Sequence, residues 1–82
     1  MTNDDLTEAM LGYGLKIDEQ QFTRGTQVTR VRLRKDPDDG QYCVSVVHWI
    51  GTKNKYKGGY ETRFRSIVEA YLDYNRLLKA YK

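Results

Sequence analysis

Polar and apolar residues alternate most cleanly from Gln27 to Lys35, which reads Q-V-T-R-V-R-L-R-K. Strand side chains point to opposite faces in turn. Thr29, Val31 and Leu33 therefore share one face, and Val28, Arg30, Arg32 and Arg34 share the other. A second strand is predicted over Tyr42–Ile50. Both of its faces are partly apolar. The even set (Tyr42, Val44, Val46, His48, Ile50) is the preferred core face, which places Ser45 and Trp49 on the side of the arginines. A third strand is predicted over roughly Tyr56–Thr62. Gly58-Gly59 within it marks a bulge or a close approach of another backbone. Asp36-Pro37-Asp38-Asp39-Gly40 reads as a tight reversal, and Gly51-Thr52-Lys53-Asn54-Lys55 as a basic turn.

After Phe64 the period changes. Ile67, Ala70, Tyr71, Tyr74, Leu77, Leu78 and Tyr81 form one stripe at helical spacing. Ser66 and Glu69 have the spacing of a capping box ahead of it. A short helix is also expected near Asp4–Leu11, from the stripe Leu6, Ala9, Met10 and Tyr13, with Gly12 and Gly14 ending it. Residues 15–26 are ambiguous: an irregular connection anchored by Leu15, Ile17 and Phe22, or a short strand over Leu15–Glu19. The expected architecture is one small α+β domain over residues 1–82. It is a three-stranded antiparallel meander packed against a C-terminal helix, with a short N-terminal helix, in the order α-β-β-β-α.

With 82 residues the chain suits a single domain, and 30% charged against 39% hydrophobic residues suits a folded one. The net charge of +3 is unevenly spread. Residues 21–35 carry Arg24, Arg30, Arg32, Arg34 and Lys35 with no acid, whereas residues 36–48 carry three aspartates and no Lys or Arg. One cysteine excludes an internal disulfide. No apolar run approaches 18 residues, so no membrane span is expected. The acidic N-terminus lacks a signal-peptide pattern, and a cytoplasmic location is expected.

Little in the chain points to catalysis. His48 is the only histidine and reads as a structural strand residue. Cys43 and His48 would face opposite sides of a regular strand, which disfavours a nucleophile pair. One Cys and one His leave no metal-ligand spacing. Gly58-Gly59 lacks the ending and context of a phosphate loop. No enzyme activity, cofactor or metal is expected. Binding fits better. Arg30, Arg32 and Arg34 would lie roughly 6.5–7 Å apart on one face, close to the spacing of phosphates along an extended polynucleotide. Trp49 would offer a stacking surface beside them, and Lys53, Lys55, Lys57, Arg63 and Arg65 would extend the basic surface. The competing reading is a strand face whose arginines pair with acids on the next strand or guard an edge.

Phe64, Ser66, Glu69, Ala70 and Tyr74 together resemble the strand-to-helix junction of the plant ethylene-response-factor DNA-binding domain and of the related arm-binding domains of tyrosine integrases. The likeness covers about residues 27–78. It implies a three-stranded sheet entering the DNA major groove, with Arg30, Arg32, Arg34 and Trp49 as contacts. The order helix, three strands, helix is also similar to the double-stranded-RNA-binding domain. Nucleic-acid binding, with DNA ahead of RNA, is thus the first expectation. The alternative is an anionic protein target, since small tyrosine-rich chains are similar in style to phage or mobile-element accessory proteins. Such proteins include anti-CRISPR inhibitors of a host nuclease complex. A homodimeric accessory protein is a third reading.

Overall fold

The computed structural model describes residues 14–52 and 55–81. It consists of β1 (Leu15–Arg24), β2 (Gln27–Lys35), β3 (Tyr42–Ile50), β4 (Lys55–Phe64) and α1 (Ile67–Tyr81). The strands form one antiparallel sheet in chain order, β1-β2-β3-β4. This corrects the expected three-stranded meander: the segment read as an irregular connection or short strand is a full ten-residue edge strand. The helix expected near Asp4–Leu11 lies outside the described residues, and the described order is β-β-β-β-α.

β1 escaped recognition because its pattern is weak. Its helix-facing positions include Asp18 and Gln20 beside Phe22, and a bulge between Lys16 and Asp18 shifts the register. The bulge breaks the period of two on which strand reading depends. Elsewhere the periods hold. Val31 pairs with Val46 and Leu33 with Val44, so the alternate residues of β2 and β3 form one apolar floor. Onto it α1 lowers Ala70, Tyr74 and Leu77, and these residues make the main core. Ser66 caps the helix, its hydroxyl accepting from the Val68 N–H at 3.2 Å.

The turns follow from their residues. Gly25, at φ 62°, lets β1 and β2 join through two residues. In the acidic reversal the Asp36 carboxylate accepts from the Asp38 N–H and the Asp39 carboxylate from the Gln41 N–H, each at 2.8 Å. The aspartates thus serve turn geometry.

Both expectations for the paired glycines hold. The β3–β4 register shifts between His48 and Trp49, opposite Gly58. At Gly59 an added Cβ would sit 2.3 Å from the Val46 carbonyl oxygen. Gly59→Ala is expected to destabilise the fold by about 1–3 kcal/mol, the usual cost of overpacking. Gly58→Ala has no neighbour to strike but must adopt φ 150°. Urea midpoints of the two variants measure one effect against the other. A Gly59→Ala protein as stable as the parent would mean that β4 can move away from β3 at little cost.

Candidate functional site: the arginine face of the sheet

The side of the sheet away from α1 carries Val28, Arg30, Arg32 and Arg34 from β2, set against Cys43, Ser45, Val47 and Trp49 from β3. The expected grouping of arginines and tryptophan is therefore present. The Arg30 guanidinium lies 5.3 Å from the centre of the Trp49 ring, within cation–π range. Val28, Val47 and Trp49 form a second, smaller apolar cluster on this side.

The guanidinium groups are engaged within the sheet. Arg30 donates through Nε and Nη2 to the Gln21 side-chain oxygen at 3.1 and 2.6 Å and lies 3.8 Å from Glu19. Arg32 donates through Nε to Glu19 at 2.6 Å. Arg34 donates through Nη2 to Glu61 and lies 3.7 Å from Asp36. Arg63 reaches Asp39 at 2.8 Å, Asp36 at 3.1 Å and Glu61 at 3.4 Å. Among the described residues, these four guanidinium groups meet four carboxylates, those of Glu19, Asp36, Asp39 and Glu61, which offset much of their charge. Arg32 and Arg34 are only 6% and 5% exposed. Of the two sequence readings of this strand, the geometry matches the one in which its arginines pair with acids on neighbouring strands.

Register explains the pairing. Glu19 stands opposite Arg32 across β1–β2, and Gln21 stands opposite Arg30. Glu61 stands opposite Ser45 across β3–β4 and next to the Arg34 position. The Ser45 hydroxyl donates to Glu61 at 3.4 Å. The Asp36 carboxyl is held below its usual range, first by the Asp38 N–H, with Arg63 and Arg34 adding to the effect against the cost of burial.

The remaining sequence candidates fall elsewhere. Lys53 lies outside the described residues. Lys55 and Lys57 are exposed on β4, and the charge of Lys57 acts on His48, on the helix side of the sheet. Only Arg63 joins the arginine face, through the acidic reversal. Glu19, Gln21 and Glu61 were not singled out as site residues, because their alignment with the arginines appears only once strand order is known.

Two groups with nucleophilic or basic chemistry are separated, as their spacing predicts. Cys43 is buried on the arginine face, and burial pushes its thiol pKa up. His48 lies on the helix side, where its Nδ1 and the Thr29 hydroxyl share a hydrogen bond of 2.8 Å. Burial, with a smaller effect of Lys57, holds its pKa below 6.5. Because the folded state favours neutral His48, its contribution to stability is present above pH 6.5. It is lost as pH falls toward the depressed folded value. Urea midpoints should therefore drop between pH 7 and pH 5 by more in the parent than in His48→Gln. Equal drops would remove His48 from the acid response. Among the described residues no group of three or more His, Cys, Asp or Glu side chains could hold a metal ion, and no helix is long and apolar enough to cross a membrane.

Comparison with known proteins yields no match: no protein family, curated protein or solved structure aligns with the chain.

Proposed function

We propose that the protein is a non-catalytic binding module that engages a protein partner through the flank where β4 meets the exposed side of α1. One contrast supports this reading. The guanidinium groups of the arginine face are already engaged by carboxylates, whereas large side chains on the opposite flank stand open to solvent. Tyr60 is 50% exposed, Leu72 66% and Val68 64%. Val68, Leu72 and Arg76 succeed one another at four-residue spacing, which places them side by side along one helix surface. Tyr60 lies near enough to Arg76 for the two to interact electrostatically. Tyrosine and arginine are enriched at interface centres, and Val68 and Leu72 add exposed apolar area beside them. β4 is also a sheet edge, and its outer backbone groups suit pairing with an extended segment of a partner.

The test uses the full chain and a Tyr60→Ala/Leu72→Ser variant as baits in nuclease-treated lysate. The reading requires a species held by the parent and lost by the variant, with the variant's melting temperature within a few degrees of the parent's. Retention by both baits, or by neither, would remove the flank from the function.

Nucleic-acid binding stays as the second reading because of the β4 sequence itself. Lys55, Tyr56, Lys57 and Tyr60 interleave cations with stacking surfaces on an exposed edge, the usual makeup of a single-strand site. Titration with duplex DNA, single-stranded DNA and RNA at two salt concentrations separates the readings. Phosphate-driven binding weakens steeply with salt. No binding at low salt would exclude this second reading.

A further inference from the structure

Where the β1–β2 hairpin turns, past the last turn of α1, a cleft of about 440 Å³ opens between sheet and helix. Phe22, Thr23 and Arg24 of β1, Gln27 and Thr29 of β2, and Tyr81 of α1 line it. Register brings them together, since Phe22 pairs with Thr29 and Arg24 with Gln27 on the strands' helix-facing side.

Three features of the cleft converge. Its volume lies within the range of small-ligand sites, about 300–1,000 Å³. One wall is aromatic: the rings of Phe22 and Tyr81 stack at 6.0 Å and 25°, and the His48 ring lies 5.9 Å from that of Tyr81. Arg24, at the rim, is exposed and has no ion pair among the described residues. Arg30, Arg32 and Arg34 on the same hairpin are all engaged. A guanidinium next to an aromatic wall can fork onto a carboxylate or phosphate while the wall takes an attached ring.

We propose that this cleft binds a small aromatic anion, its ring against Phe22 and Tyr81 and its anionic group on Arg24. The C-terminal end of α1 brings partial negative charge to the same region, worth about half an elementary charge. The whole charge of Arg24 outweighs it, and Lys57, whose field already reaches His48, acts in the same sense as Arg24. The site does not share its lining with the partner-binding flank, since neither Tyr60 nor Leu72 lines it.

Calorimetric titration of the full chain with phenyl phosphate and with benzoate tests the site, with inorganic phosphate and phenol as the separated halves. At least one aromatic anion should bind at least tenfold more tightly than either half, and the tighter of the two identifies the head group. Arg24→Gln, a change at an exposed position, should weaken that binding at least tenfold with the melting temperature preserved. Absence of saturable binding at millimolar concentration, equal affinity for inorganic phosphate, or an unchanged affinity in Arg24→Gln would each overturn the proposal.

Discussion

Replacing Tyr74 with alanine is expected to cost about 3–5 kcal/mol, in the range measured for large aromatic side chains removed from cores. Tyr74 is fully buried at the centre of the main core, edge-on to Tyr71 at 6.3 Å. A domain of this size is stable by about 5–15 kcal/mol in total, so the loss would show as a large fall in the urea midpoint. The hydroxyl behaves differently from the ring. It is buried with no hydrogen bond of good geometry among the described residues, although the Asp18 carboxylate lies close enough to act on it. Burial, with the nearby charge of Asp18 adding to it, pushes its pKa far above 10. Tyr74→Phe should therefore match the parent or exceed it, since removing an unsatisfied buried hydroxyl relieves a desolvation cost. The sign of the pH effect follows. A raised folded pKa contributes stability below pH 10 that is lost as pH climbs through the folded value. Phe at this position should flatten the alkaline limb of the stability curve. A Tyr74→Phe protein as unstable as Tyr74→Ala would mean that the hydroxyl, not the ring, holds the core.

Glu19→Leu is expected to cost about 2–3 kcal/mol, and more than Arg32→Leu. The Arg32 side chain is 7% exposed and that of Glu19 is 22% exposed. Removing the carboxylate takes one 2.6 Å ion pair from a deeply covered guanidinium, and also removes the charge 3.8 Å from Arg30. Removing the guanidinium leaves a carboxylate that water can reach. Breaking a buried pair from one side costs about 3–5 kcal/mol, whereas replacing both members with apolar residues is often neutral. The partial exposure of Glu19 lowers the first figure. Glu19→Leu/Arg32→Leu should then recover most of the stability lost in Glu19→Leu. Urea unfolding of the four proteins completes the cycle. If the double variant is no better than Glu19→Leu alone, the pair does not act as a unit.

The elements that could be read from the chain are those whose side chains keep time. β2 and β3 alternate in step over Val31, Leu33, Val44 and Val46, and the stripe from Ile67 to Tyr81 repeats at helical spacing; each was placed within a residue or two. β1 was not, because an edge strand with Asp18 and Gln20 facing the helix and a bulge after Lys16 has no clear period. The arginines could be found on one face, with Trp49 beside them. Which anions they meet could not, because Glu19 and Glu61 lie 13 and 27 residues away from Arg32 and Arg34. They become neighbours only through sheet order and register. A run of arginines free of acids in sequence is therefore weak evidence for a cationic surface when the flanking strands carry the counter-charges.

Because every strand pairs with the strand next to it in the chain, the sheet can assemble hairpin by hairpin, each step closing a short loop. Loops of this kind close at little entropic cost and quickly, and folds dominated by them are fast. The helix is different. Its fifteen residues come last among the described elements yet cover the floor laid by β2 and β3. During synthesis the order of emergence is fixed, so the apolar floor of Val31, Leu33, Val44 and Val46 must wait, uncovered, until residues 67–81 have been made. The time between the two is when this chain is most open to mispairing with others.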